Sequence, residues 1–574
     1  MVLQRYKLQI ASHFAAQTGW DTNELAGLIE IPPDRTLGDL ALPCFKLAKT
    51  MRQAPPVIAA ALAKELEACS IVEHAEATGG YLNMRLKRQA ITTDTLAHLH
   101  SGEGVYNDTH GAGQTVAIDL SSPNIAKPFS MGHLRSTVIG TALANLFETS
   151  GYKTIRINHL GDWGTQFGKI IVAYRKYGDE ATVNANPITE LNRLYVQFHE
   201  EAKLHPELDN EARAAFKRLE DGSEEDLALW RYMIEVSMRE FEKTYQLLGT
   251  TFDFNLGESF YNDKMDAVVT ELREKGLLEE SDGAEVVKLG DAMPPCLIRR
   301  SDGATLYPTR DLAAALYRAR HFHADHLLYV VGGEQRLHFQ QVFAVLRKMG
   351  YTFANACEHI AFGLMRMGGK KMSTRKGQIV RLQDVLDEAI ARARAIIEEK
   401  NPHLQNPDGV ARAVGVGAVI FNDLKTYRLH DIDFTMDTAL AFDGETGPYV
   451  QYAHARTCSI LRKANALSVG PSVKTWVTSQ CRADDAIDDA TWYLTLTLQG
   501  IETVRLRAIE ERDPSLVAKH ALDIAQAFNR FYHDCPILTA EGNLKALRLA
   551  LTDAVRIALL HALTWLGIEA PSEI

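Results

Sequence analysis

Long hydrophobic runs are missing from this chain of 574 residues. No apolar stretch reaches the roughly 18 residues that a membrane helix needs, which excludes a helical span. The opening Met-Val-Leu-Gln-Arg-Tyr-Lys lacks the apolar segment of a secretory signal. Cysteine is sparse: Cys44, Cys69, Cys296, Cys357, Cys458, Cys481 and Cys535 form no Cys-x-x-Cys pair. That argues against a zinc framework or disulfide scaffold and predicts a reduced, cytoplasmic protein. There is no short-period repeat and no low-complexity tract. The lysine-rich loop around residue 371 has no Walker phosphate-loop match. His321, His323 and His326 bridge a helix end and a strand without an acidic or cysteine partner at ligand spacing, so no metal site is predicted.

Hydrophobic residues make up 46% and charged residues 24% of the chain, as in a globular protein of two to four domains. The net charge of −11 is unevenly spread. Residues 179–226 hold 13 Asp/Glu against 5 Lys/Arg, whereas residues 363–381 hold six basic residues and no acidic one. A polyanion site therefore remains open to the second segment.

Residues 1–110 alternate helical patterns with the strand-like Thr-Gly-Gly-Tyr-Leu-Asn-Met-Arg-Leu at 78–86, which fits a small α+β domain. From about residue 112 the pattern becomes strand 115–120, helix 131–148, strand 153–159 and helix 166–177, a βαβ unit with parallel strands. The acidic stretch 179–226 reads as a polar helical surface insertion. Strands are expected at 284–289, 295–300, 325–331 and 359–363, with helices at 310–322 and 338–349. Beyond residue 382 the chain is helical by pattern. The expected architecture is a doubly wound, Rossmann-like parallel sheet over 112–382, with the small α+β domain before it. A helical connector over 383–440 and an all-α domain over 441–574 follow.

Ligands of such sheets bind at the carboxyl ends of the strands. Loops 121–133, 159–164, 332–338 and 364–377 all fall there. The first runs from an apolar strand into a helix whose Leu134, Val138, Ala142 and Leu146 recur at helical spacing. Its Gly132 and His133 place free N–H groups and a directional donor at a positive helix end, which suits phosphate. A second set, Asp119, Asn124, Glu258, Tyr307 and Asp311, combines carboxylates with a tyrosine. Tyr307 and Asp311 are four apart at a helix start and share a face. Such a set suits a planar guanidinium, whose five donors demand several acceptors.

Ser-Pro-Asn-Ile-Ala-Lys-Pro followed by Gly-His-Leu-Arg-Ser-Thr resembles the nucleotide-binding signature of the arginyl-tRNA synthetases, a class I family. So do Asn-His-Leu-Gly-Asp-Trp-Gly-Thr-Gln-Phe-Gly at 158–168, Tyr-Pro-Thr-Arg-Asp at 307–311 and Lys-Met-Ser-Thr-Arg at 371–375. Two positions depart from the family pattern. Ser130 stands where the first signature histidine is usual, and Thr374 stands where the second signature has its later lysine. Lys370, Lys371, Arg375 or Lys376 must then supply that charge.

The resemblance implies an ATP-dependent ligase that forms arginyl-adenylate and passes the arginyl group to the 2′-hydroxyl of the terminal adenosine of tRNA(Arg). It implies catalytic roles for Ser130, Gly132, His133, Lys371 and Ser373. ATP would be held by Ser130, Gly132, His133, Lys127, His159, Gly161, Asp162, Lys371 and Met372, with Mg²⁺ arriving on ATP and no protein metal cage. Arginine would meet Asp119, Asn124, Glu258, Tyr307, Asp311 and Gln335. For tRNA it implies Tyr81 and Asn83 as readers of an unstacked base, and Tyr452, Arg456 and Tyr532 in the C-terminal helices, the last domain serving the anticodon. The expected state is a monomer without a membrane partner. The 179–226 insertion is too short for an editing domain. Two rivals stand beside this reading: a class I synthetase for another amino acid, and a catalytically inactive relative that binds tRNA.

Overall fold

The computed structural model describes residues 2–291, 293–300, 306–367, 370–371, 380–465 and 487–574. Its centre is a five-stranded sheet, all parallel, in the order Cys357–His359, His326–Tyr329, Thr115–Leu120, Lys153–Asn158, Phe254–Asn255. Alternation along Thr115–Leu120, the first of these five in chain order, explains its central place. Val116, Ile118 and Leu120 face one apolar cluster and Ala117 the other, so both faces are covered. The chain runs outward from Thr115–Leu120 in both directions, which makes the carboxyl end between it and His326–Tyr329 the switch point of the sheet.

The expected βαβ unit is present: helix Met131–Thr149 links the first two core strands, and helix Gln166–Tyr177 follows. Other expectations need correction. The segments near 284–289 and 295–300 do form strands, Ala284–Val287 and Cys296–Arg299, but in a separate sheet, where Ala284–Val287 pairs antiparallel with Glu279–Ser281 on one side and Cys296–Arg299 on the other. The strand expected at 359–363 ends at His359. Beyond it Phe362 turns to accept from Gly333 N–H and Gly363 donates to Arg428 O, so the backbone leaves the sheet.

The acidic insertion is not only a surface feature. Helices Pro187–Leu204 and Glu207–Glu220 bury Leu191, Leu194, Phe198, Leu208, Ala212, Ala215 and Leu219 in the main core. Gly168 packs so tightly on the second that an added Cβ would lie 2.0 Å from Ala212 O. Helix Glu224–Leu248 then returns to the carboxyl end of the sheet.

The N-terminal part has its own antiparallel sheet, Leu40–Pro43, Tyr81–Leu86, Val72–Thr78, over its own core. It is tied to the C-terminal helices through Arg88–Asp489 at 2.7 Å and Trp492 Nε1 donating to Asp39 at 2.6 Å. The helices Leu382–Lys400, Pro407–Leu424, Gly447–Lys463, Asp489–Glu510, Ser515–Asp534 and Gly542–Trp565 follow the long periodic stretches of the sequence. Their apolar faces join the same core as one face of the parallel sheet. Among the described residues no helix is long and apolar enough to cross a membrane, and the six described cysteines are free and buried.

Candidate active site

Loop 121–133 is a strained connection. Ser121, Ser122 and Ala126 all have positive φ (70°, 57° and 59°), which costs non-glycine residues energy and persists only where the surroundings enforce it. The enforcement is a buried polar network. Ser121 N–H donates to Ser136 Oγ, Ser121 Oγ lies 2.9 Å from Tyr245 OH, and Ala126 N–H donates to Ser237 Oγ. Tyr245 and Ser237 belong to the helix that returns from the insertion.

The separated loops converge. Asn124 and Gly161 form a backbone bridge, and a Cβ on Gly161 would sit 2.5 Å from Asn124 Oδ1 and displace that side chain. Gly332 bridges to Phe362. Ser130 bridges to Arg381: Met131 N–H donates to Val380 O and Leu382 N–H to Phe129 O. Arg135, one helical turn further on and 1% exposed, donates to Gly363 O and His430 O at 2.8 Å each. The segments flanking the basic loop are thus fastened directly to the first signature.

At the start of helix Met131–Thr149, Ser130 is the N-cap. Its N–H donates to His133 Nδ1 at 3.1 Å and its Oγ lies 3.2 Å from the same nitrogen. Burial pushes the imidazole of His133 down to about 4. At neutral pH the ring is uncharged, and with Nδ1 accepting, its proton is on Nε2. Ser130 thereby acts first on His133, orienting it. Gly132 beside it is exposed, and Lys127 lies with Nζ 5.8 Å from the Tyr195 ring. Lys371 enters only as backbone of the short strand Lys370–Lys371; Met372 and Ser373 lie outside the described residues.

The acidic set gathers on the other side of the switch point. Glu258 sits on the turn after Gly257, its N–H donating to Leu160 O. Burial raises its carboxyl to about 7, the Arg310 guanidinium at 3.7 Å opposing and the charges of Asp162 and Asp311 adding to the rise. Asp162 braces that turn: its oxygens take Ser259 N–H at 2.8 Å and Ser259 Oγ at 2.6 Å. A Cβ on Gly257 would strike the Asp162 carboxylate at 2.3 Å. Its carboxylate is therefore committed to shaping the Glu258 turn.

Asp119 is likewise committed, with Oδ2 2.8 Å from Arg318 Nη1 and Oδ1 accepting from Ser122 Oγ at 3.1 Å. His159 Nδ1 lies 3.1 Å from Leu256 O and 3.4 Å from Arg318 Nη2. Burial works against Asp311, yet its bond to His338 and the charges of His338, His159 and Arg318 hold it below the ordinary carboxylate range. Tyr307, 61% exposed, begins the helix Tyr307–His321 beside a cleft of about 770 Å³ lined also by Trp163, Gln166, Asn262 and Arg310. Gln335 is exposed at the end of the short helix Gly333–Gln335.

The family described as "tRNA synthetases class I (R), catalytic domain" matches residues 95–436, "Arginyl tRNA synthetase N terminal domain" residues 4–86, and "DALR anticodon binding domain" residues 450–574. The chain belongs to the arginyl-tRNA synthetase family. An arginine–tRNA ligase of Exiguobacterium is 50% identical over 552 residues, covering 96% of each chain. Another from Enterococcus faecalis is 50% identical over 554 residues, again 96% of each. The solved arginyl-tRNA synthetase of Thermus thermophilus superposes with a TM-score of 0.78 at 27% identity over 100% of both chains.

Sites expected for tRNA in an arginyl-tRNA synthetase lie apart from this centre. Tyr81, 42% exposed, meets Phe45 edge-on at 5.2 Å, while Asn83 on the same strand is 7% exposed. Arg456 lies between Tyr452 and Tyr532, 4.8 and 5.1 Å from the rings, with Nη1 donating to Asn529. Sequence reasoning passed over Arg135, Arg318, Ser259, Tyr245 and His338. Arg318 carried a signal: it is seven residues past Asp311 on one helix face, in an otherwise apolar run.

Proposed function

We propose that this chain charges tRNA(Arg) with arginine in two steps at one sheet end. The carboxylate of L-arginine attacks the α-phosphate of ATP, giving arginyl-adenylate and pyrophosphate. The 2′-hydroxyl of the terminal adenosine then takes the arginyl group and releases AMP. One observation carries this reading: the loops that bear Asn124 and His133, Gly161, and Glu258 are fastened to one another at the carboxyl ends of the parallel strands, through the Asn124–Gly161 bridge and the Glu258 N–H to Leu160 O bond.

Phosphoryl transfer of this kind asks for positioning and charge neutralisation more than for a protein nucleophile. His133 Nε2–H and the N–H of Gly132 meet ATP phosphates, with Lys127, His159 and Gly161 around the nucleotide. Lys371, Met372 and Ser373 serve the leaving pyrophosphate, and Mg²⁺ comes as the ATP complex. Glu258, Asp311, Tyr307 and Gln335 take the guanidinium and Asn124 the amino-acid end. Asp119 and Asp162 contribute through the residues they hold. Buried acceptors left unpaired by lysine or an apolar side chain give discrimination of roughly 10⁴ without editing. Tyr81 and Asn83, and the Tyr452–Arg456–Tyr532 stack, bind unstacked bases of tRNA. The units 1–110, 112–382, 383–440 and 441–574 act together in a cytoplasmic monomer.

The test is charging and ATP consumption with each of the twenty amino acids, with and without tRNA. Charging by arginine alone supports the reading. Charging by a different amino acid, or tRNA binding without turnover, overturns it.

A further inference from the structure

Asp311 has a dedicated partner. His338, on helix Arg336–Lys348, brings Nε2 to 2.5 Å from Asp311 Oδ2, and the two side chains are only 20% and 22% exposed. The neighbouring Phe339 packs on Tyr329 at 5.0 Å and His359 at 4.7 Å, so the core fixes the backbone that presents the imidazole. Among the described residues, His338 is the one side chain hydrogen-bonded to Asp311.

The surroundings explain why such a partner matters. Arg318 and His159 both bear electrostatically on Asp311, and Arg310 bears on the adjacent Glu258. An undirected carboxylate could swing into an internal ion pair, as Asp119 has done with Arg318. A guanidinium partner would cancel the charge that an incoming cation needs. A single imidazole nitrogen instead directs one oxygen of the carboxylate and leaves the other unoccupied.

We propose that His338 is a positioning residue of the amino-acid site: it holds one oxygen of Asp311 and leaves the other for the cationic end of the substrate. The inference rests on the reading of Asp311 as a guanidinium acceptor. It makes His338 a determinant of arginine affinity without contact to ATP or to the reacting carboxylate.

The test compares His338→Leu, His338→Gln and Asp311→Asn in the full-length enzyme by steady-state tRNA charging, with thermal unfolding of each variant. Glutamine places an N–H donor near the position of Nε2. His338→Leu raises the KM for arginine about tenfold, with kcat within about twofold and the KM for ATP unchanged, and His338→Gln restores it to within about threefold. An unchanged arginine KM in His338→Leu overturns the proposal. So does a matching rise in the ATP KM, or failure of glutamine to rescue, since either marks a merely structural role. If Asp311→Asn leaves the arginine KM unaltered, the guanidinium reading of Asp311 fails as well. If Asp311→Asn raises it and His338→Leu does not, only the role of His338 falls.

Discussion

The backbone N–H of Ser130 donates to Nδ1 of His133, three residues ahead in the same helical turn. That bond puts the ring proton on Nε2, and burial keeps the ring uncharged down to about pH 4. His133→Ala should slow adenylate formation by about 10²-fold with tRNA affinity nearly kept. Pyrophosphate exchange and a filter-binding titration check the two halves. Because the ring titrates near 4, His133 should leave no inflection in the kcat profile between pH 6 and 8.

Glu258 gives the opposite pH signature. With its carboxyl raised to about 7, it is half protonated near neutrality in the empty site, and a cation arriving beside it draws the proton off. The arginine KM should rise as pH falls below 7, and arginine binding should release protons, read by calorimetry in buffers of different ionisation enthalpy. Stability runs the other way. The folded-state value lies above the ordinary 4.5, so the contribution is intact below that pH and is lost as pH climbs through about 7. Glu258→Gln should therefore weaken arginine binding about tenfold or more while raising the melting temperature at pH 8, with little gain at pH 4.

Arg135 and Asp423 are each 1% exposed and meet at 3.2 Å. Arg135→Met leaves Asp423 buried without its cation and should cost about 3–5 kcal/mol in denaturant unfolding. Adding Asp423→Leu should recover most of that stability. The double variant should still adenylate poorly, since Arg135 also holds Gly363 O and His430 O near the basic loop.

The exposed stack around Arg456 predicts a separation of functions. Arg456→Ala should lower tRNA affinity about tenfold, the scale of one lost stacking contact, and leave tRNA-free arginine binding unchanged.

Much of this architecture was legible in the sequence. The apolar run Thr115–Leu120 and the periodic helix after it announce a βαβ unit, and the long C-terminal helices declare themselves by period alone. The two strands near 284 and 297 have the same local signal as core strands, and only pairing assigns them to another sheet. The site divides along the same line. Ser130 and His133 share one signature, but the partners that commit Asp119 and Asp162 lie far along the chain. Arg318 claims Asp119 from about 200 positions away, and Ser259 claims Asp162 from 97. Those are tertiary facts, and burial, which moves the pKa values, has no local code.

One apolar core passes from beneath the parallel sheet, through Val116 and Leu328, to Val450, Leu551 and Leu563 in the last helices. The C-terminal helices are therefore not a detachable cassette. A fragment cut near residue 440 would bare a greasy face on both pieces, and transplanting these helices onto another scaffold would require redesigning the surface that receives them.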